Sequence, residues 1–130
     1  MTRSADAVVL DHTALLALGS GNRMLSGLVA AEPRRSTRHV YVPALCLAAA
    51  TAERPALGEH VGMLPALEVV ELGFAGAVMV GRTVATGTDW KVAHAAVVGR
   101  PDPEWPDGRL VLTTNPQVYA GLGVATARVA

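Results

Sequence analysis

Short apolar runs alternate with helix-forming segments along the 130 residues, and this alternation constrains the fold more than any other feature. Runs of four to eight apolar residues are typical of strands, whereas apolar residues at a spacing of three and four indicate helices. The predicted strands are 7–10, 40–42, 67–72, 110–113 and 124–129. The predicted helices are 11–18, 24–29, 44–53, 57–64, 74–85, 89–97 and 115–120. This order predicts a mostly parallel sheet covered by helices.

The fold class predicted from this order is α/β, with three α/β/α layers around a central sheet of about five strands. A single domain over 1–130 is expected for this length. Hydrophobic residues make up 51% of the chain and charged residues 17%, which excludes an intrinsically disordered protein.

The charges exclude a strongly basic protein, because eleven acids balance eleven bases. Nucleic-acid binders generally carry a positive surplus, since phosphate contacts supply most of their affinity. The densest basic stretch contains Arg34, Arg35, Arg38 and His39, and we interpret it as a solvated loop.

Cys46 is the only cysteine, so an internal disulfide and a cysteine-rich zinc site are excluded. Its apolar surroundings in the sequence predict a buried thiol rather than a nucleophile. No apolar run reaches the roughly 18 residues of a membrane span, and the short run at 7–10 meets Asp11 at once, unlike a signal peptide. We therefore expect a cytoplasmic protein that does not contact a membrane.

Three polar residues stand at element boundaries where a site could form. Asp11 follows the first strand, Asn115 follows the fourth, and Asp89 begins a helix. Ligands of open parallel sheets sit beyond the carboxyl ends of the strands, and converging oxygens suit a hard divalent cation. Each residue is also well placed as a helix N-cap, which contributes about 1 kcal/mol. Spacing alone favours capping at each position.

Four segments together resemble the PIN domain, and they occur in the order of that family. They are VVLDHTALL at 8–16, VPALCLA at 42–48, DWKVAHAA at 89–96 and LVLTTNP at 110–116. The resemblance covers nearly the whole chain and implies a small nuclease fold. Many bacterial PIN proteins of this size are ribonuclease toxins of toxin–antitoxin pairs (VapC-like). In active members, acidic residues bind Mg²⁺ or Mn²⁺, which activates water for attack on RNA.

The acidic set implied by the resemblance is incomplete in this chain. Asp11 and Asp89 match two of the acids, but Ala49 occupies the position of the second and Asn115 that of the last. Glu53, one helical turn beyond Ala49, is a candidate substitute. Asp11 and Asp89 alone could hold one Mg²⁺ or Mn²⁺ ion, but not two.

Two functions from different classes follow from this incomplete set. The first is a degenerate PIN-like protein, inactive or weak as a nuclease, that acts by binding a protein partner or RNA, with no metal required. The alternative is a Mg²⁺/Mn²⁺-dependent ribonuclease that uses Asp11 and Asp89, with Asn115 as a further site residue. The expected protein partner is antitoxin-like, a nuclease of the same fold, or a second copy in a homodimer. The helix with Met24, Leu25 and Leu28 offers an apolar surface for pairing, although a core position fits this stripe better.

Overall fold

The computed structural model describes residues 6–30 and 38–129, and within these residues the chain forms a five-stranded sheet. Every strand pairs in parallel with its neighbours, in the order β3-β2-β1-β4-β5. The strands are β1 (Ala7–Leu10), β2 (His39–Pro43), β3 (Leu67–Val70), β4 (Leu110–Thr113) and β5 (Thr126–Arg128). The predicted parallel sheet and its three-layer α/β/α class are confirmed.

Helices connect the strands, close to the predicted positions. They are α1 (His12–Gly19), α2 (Arg23–Ala30), α3 (Ala44–Glu53), α4 (Ala56–Gly62), α5 (Phe74–Ala85) and α6 (Trp90–Gly99). The helix predicted at 115–120 is instead a short 3-10 helix, Pro116–Tyr119. The segment ends after one turn, because Gly121 adopts a left-handed φ of 78° just beyond it. Within 6–30 and 38–129, no helix is both long and apolar enough to cross a membrane.

The core is built from small aliphatic side chains around the central strand. All four residues of β1 are at most 3% exposed, as expected for a strand that is covered on both faces. Cys46 is fully buried, and its thiol donates to the backbone oxygen of Lys91 at 3.2 Å. The predicted burial of this thiol is confirmed, and burial raises its pKa.

The apolar stripe of α2 is mostly part of the core, as predicted. Leu25 is fully buried and Val29 is 7% exposed, whereas Met24 is 51% exposed. Of the basic stretch, Arg34 and Arg35 lie outside the described residues.

The amino-terminal edge of the sheet carries an ion-paired network. Arg109 donates to Asp102 at 2.7 Å and to Glu104 at 3.1 Å, and its guanidinium lies 4.6 Å from the ring centre of Tyr41. Trp105 donates through Nε1 to the hydroxyl of Tyr41 at 3.1 Å. These contacts anchor the long loop between α6 and β4 to the sheet.

Helix α5 is exposed along a face that carries no charged side chain. Its inward stripe contains Val80 and Thr83, which are 6% exposed. The opposite stripe, which we call the α5 face, consists of Phe74, Val78, Gly81 and Ala85 at helical spacing. A helix on a protein surface normally presents polar residues on its outer side. The apolar spacing of 74–85 therefore predicted the helix correctly but did not mark its buried side.

Candidate functional site at the carboxyl ends of β1 and β4

The strand order places the candidate site between β1 and β4. From β1 the chain proceeds outward to β2 and β3, and it then returns to the other side of β1 to form β4. Such a reversal opens a crevice at the carboxyl ends of the two strands, where ligands of α/β sheets bind. Asp11 directly follows β1, and Thr113 ends β4.

The carboxylate of Asp11 lies in this crevice and is 1% exposed. Its Oδ1 caps α1 by accepting from the amide of Ala14 at 2.9 Å, and it also accepts from the hydroxyl of Thr13 at 2.6 Å. Its Oδ2 accepts from the hydroxyl of Tyr119 at 2.7 Å. The protein itself thus supplies hydrogen-bond donors to both oxygens of this buried acid, as burial of a charge requires.

Threonine hydroxyls extend the network from Asp11 to the end of β4. The Oγ1 atoms of Thr13 and Thr113 lie 3.3 Å apart, and Thr13 also accepts from the amide of Thr114 at 2.9 Å. Thr113 accepts from the amide of Asn115 at 3.0 Å. These bonds fix the turn after β4 against the first turn of α1. We call this hydrogen-bonded network of Asp11, Thr13, Thr113 and Tyr119 the seam, and it forms the floor of the crevice.

Tyr119 is a member of this seam that the sequence analysis missed. Its side chain is 3% exposed, and burial together with the negative charge of Asp11 raises the pKa of its hydroxyl. A buried tyrosine needs a partner for its hydroxyl, and the chain has only two tyrosines. This requirement could have marked Tyr119 as a site residue. The sequence does not show, however, that its partner is Asp11, which lies 108 residues earlier in the chain.

Asp89 is exposed at the start of α6 and is already engaged. Its Oδ1 accepts from the amide of Lys91 at 3.1 Å and from the Lys91 Nζ at 2.9 Å. The hydrogen bond from the Lys91 side chain is the main cause of a lowered pKa for Asp89. Capping is therefore the observed role of both Asp11 and Asp89.

His12 links the two acids electrostatically and lies at the rim rather than on an open helix surface. It is half-buried, and its Nδ1 is buried without a hydrogen-bond partner among the described residues. Burial lowers the pKa of His12, and the charge of Lys91 lowers it further. The charges of Asp11, Glu53 and Asp89 oppose that shift, so all three carboxylates lie within electrostatic range of this ring.

No hydrogen bond among the described residues fixes the side chain of any remaining predicted position in the crevice. Ala49 is half-buried in α3, and Glu53 is exposed at the end of that helix. The capping interpretation of Asn115 is wrong, because its side chain makes no cap hydrogen bond to the 3-10 helix. Asn115 has the backbone angles φ −137° and ψ 74°, and its backbone amide donates to Oγ1 of Thr113.

Few carboxylate oxygens in the crevice are free for a divalent cation. Mg²⁺ needs carboxylate oxygens that can face the ion. Both oxygens of Asp11 accept protein hydrogen bonds, and Asp89 is paired with the ammonium group of Lys91. In the part of the chain that the structure describes, no three His, Cys, Asp or Glu side chains form a group that could hold a metal ion.

Similarity to known proteins is found at the level of structure. No protein-family model matches the chain, and no curated protein matches it. A chain in the crystal structure of DNA-bound VapBC from Salmonella typhimurium superposes with a TM-score of 0.61 at 17% identity, over 95% of this chain and 98% of that one. The chain has a PIN-like fold. A chain of FitAB bound to an IR36 DNA fragment is similar, with a TM-score of 0.60 at 14% identity, over 93% of this chain and 94% of that one.

Proposed function

We propose that this chain acts by binding protein, as a component of a toxin–antitoxin-type assembly, and that it does not cleave RNA. The observation that carries the proposal is the carboxylate of Asp11, whose two oxygens accept three hydrogen bonds from Thr13, Ala14 and Tyr119. A metal ion at Asp11 would compete with the hydroxyl of Tyr119, which is buried and donates to Oδ2 at 2.7 Å. The salt bridge from Lys91 to Asp89 further reduces the negative charge available to a cation.

The similar structures support a role in a protein assembly. Both VapBC and FitAB are two-component complexes, each in a structure with DNA. The fold of this chain is thus one that occurs in complexes of this kind, and an antitoxin-like protein is the corresponding partner for this chain.

We further propose that a second copy of this chain covers the α5 face. Phe74 is 87% exposed, which leaves roughly 170 Å² of this side chain open if a phenylalanine offers about 200 Å². Val78 of this face and the flanking residues Met79 and Val84 are 37–42% exposed. Together with Phe74 and the small residues of the helix, they give an apolar surface on the order of 500 Å² per copy. Two copies would bury about 1,000 Å², the lower limit for a specific interface.

Charge does not oppose a second copy on this surface. Arg82 is the only charged residue of α5 and lies beside the α5 face rather than within it. Two copies can therefore meet across Phe74 and Val78 without bringing like charges together. Gly81 and Ala85 have no bulk that would keep two helices apart.

A cleavage assay tests the absence of nuclease activity. Structured and single-stranded RNA would be incubated with the wild type and with Asp89→Asn in Mg²⁺ or Mn²⁺, and a parallel Mn²⁺ titration would measure binding. Asparagine is as good an N-cap as aspartate, so the variant keeps α6 intact. We expect no metal-dependent cleavage and no saturable Mn²⁺ binding by either protein. Metal-dependent cleavage by the wild type that disappears in Asp89→Asn would refute the proposal.

Analytical ultracentrifugation tests the second copy. We expect the wild type to sediment as a dimer and Phe74→Asp as a folded monomer, because a carboxylate cannot be buried unpaired in an apolar interface. Met24→Asp is the matched control, since Met24 is also an exposed apolar residue on a helix. A monomeric wild type, or a dimer that is lost in Met24→Asp and kept in Phe74→Asp, would assign the α5 face to another partner or to none.

A further inference from the structure

A second cleft lies away from the crevice between β1 and β4, beside α5, the end of α6 and the turn that precedes β5. Its volume is about 290 Å³, and it is open to solvent. Its lining combines cationic, hydroxyl and apolar side chains, among them Met79, Arg82, Thr83, Thr86, Arg100 and Leu122. Of the residues that line this cleft, only Met79 also contributes to the apolar surface that we propose for a second copy.

Two arginines give the cleft an uncompensated positive charge. No carboxylate is among the described residues that line it. Arg82 makes no hydrogen bond or ion pair with any described residue, and Arg100 makes none with an acid. By contrast, Arg109 is paired with both Asp102 and Glu104. In a chain whose formal charges balance, two guanidinium groups facing one cleft without an acid favour an external anion.

The side chain of Arg100 is held in place before any ligand arrives. Its Nε donates to the backbone oxygen of Leu122 at 2.9 Å, and its Nη2 donates to the hydroxyl of Thr83 at 3.4 Å. These bonds leave N–H groups of its Nη1 for a ligand, and the exposed Arg82 can contribute its own. The guanidinium fork matches the oxygens of a phosphate group and can donate two parallel hydrogen bonds to it.

The hydroxyl groups of the cleft do not compete for that anion. Thr83 donates to the backbone oxygen of Met79 at 3.0 Å, and Thr86 donates to the backbone oxygen of Thr83 at 2.7 Å. The side-chain donors available to a ligand are therefore the two guanidinium groups. A phosphomonoester, with a charge of about −1.5 to −2 at pH 7, matches two arginines better than a single carboxylate does.

We propose that Arg82 and Arg100 form a binding site for a nucleotide phosphomonoester, with the attached nucleoside against the apolar side chains of Met79 and Leu122. Two sources share this chemistry, namely a free mononucleotide and the 5′-phosphate end of a nucleic-acid strand. The site is independent of the seam around Asp11, because the lining of the cleft contains no residue of that seam.

Binding of adenosine 5′-monophosphate, followed by ¹H–¹⁵N NMR, tests the site. We expect saturable shifts of the amides of Thr83, Arg100 and Leu122 with the monophosphate, and no such shifts with adenosine. Arg82→Gln should weaken binding at least tenfold, since a charge-assisted hydrogen bond is lost. Arg23→Gln is the matched control, because Arg23 is an exposed helix arginine outside the cleft. Equal binding of adenosine, equal affinity of Arg82→Gln and Arg23→Gln, or no shifts at these amides would overturn the proposal.

A comparison of short RNAs with and without a 5′-phosphate distinguishes the two sources. Preferential binding of the phosphorylated strand, with an affinity above that of the mononucleotide, identifies a strand end as the ligand. If both strands bind equally weakly while the monophosphate binds specifically, the free nucleotide is the ligand. Strand binding that does not respond to Arg82→Gln, without monophosphate binding, contradicts the site.

Discussion

Removal of the Tyr119 hydroxyl should destabilise the protein measurably without leaving a cavity. In Tyr119→Phe the ring stays, and Oδ2 of Asp11 loses its 2.7 Å hydrogen bond inside a site where Asp11 is 1% exposed. A hydrogen bond to a charged group contributes about 1.5–3 kcal/mol, and no water can easily replace a donor that is this deeply buried. For a chain of this length the loss corresponds to a decrease in Tm of about 5–10 °C.

Urea unfolding followed by tryptophan fluorescence measures this loss. Tyr41→Phe is the matched control, because the hydroxyl of Tyr41 is also buried but accepts from Trp105, a neutral donor. A neutral hydrogen bond contributes about 0.5–1.5 kcal/mol, so Tyr119→Phe should be the more destabilising of the two.

The pH dependence of the difference provides a second measurement. Burial and the charge of Asp11 raise the pKa of Tyr119 in the folded protein above its ordinary value. The contribution of Tyr119 to stability is therefore complete below about pH 10, the ordinary tyrosine pKa, and is lost as the pH rises further. Above about pH 10, the stability of the wild type should fall more steeply than that of Tyr119→Phe, by up to about 1.4 kcal/mol per pH unit.

A free energy of unfolding for Tyr119→Phe within about 0.5 kcal/mol of the wild-type value would refute this prediction. That result would mean that Asp11 does not depend on Tyr119, and that its Oδ2 is free to bind another group.

Three further predictions concern other parts of the structure. In an NMR titration, His12 should have a pKa below the ordinary histidine value because of burial, and Asp89→Asn should lower it further by removing a negative charge. Gly108→Ala should lower the free energy of unfolding in urea by more than about 1–2 kcal/mol, since φ is +79° and a Cβ would lie 2.6 Å from the oxygen of Gly99. Cys46 should not react with a thiol reagent such as DTNB in the native protein and should react fully in denaturant; fast native labelling would contradict its burial.

Local sequence signals predicted most elements of the fold. The predicted boundaries of α3 match the structure, because Pro43 suits a helix start and Arg54 precedes a proline that ends the helix. Strand β4 was also predicted correctly, since 110–113 is a short apolar run that follows a loop rich in proline and glycine. The parallel order then followed from the alternation of strands and helices.

The candidate site was less predictable, because its contacts join distant parts of the chain. Capping by Asp11 and Asp89 depends on neighbours within three residues and was predicted as an alternative to metal binding. The contact of Asp11 with Tyr119 spans 108 residues and depends on β4 lying beside β1, which local patterns do not encode. The sequence also did not predict that the α5 face points outward. Helix α5 is apolar on both sides, so the spacing of its apolar residues does not show which side is buried.

The exposed α5 face has a consequence for how the protein behaves in solution. With a formal net charge of zero at pH 7, separate copies lack the long-range repulsion that keeps most proteins apart. An apolar helix surface on a neutral molecule promotes self-adhesion at high concentration. The colloidal stability of the chain therefore depends on how completely this surface is covered and, with the proposed pairing, on the fraction of copies that are dimeric.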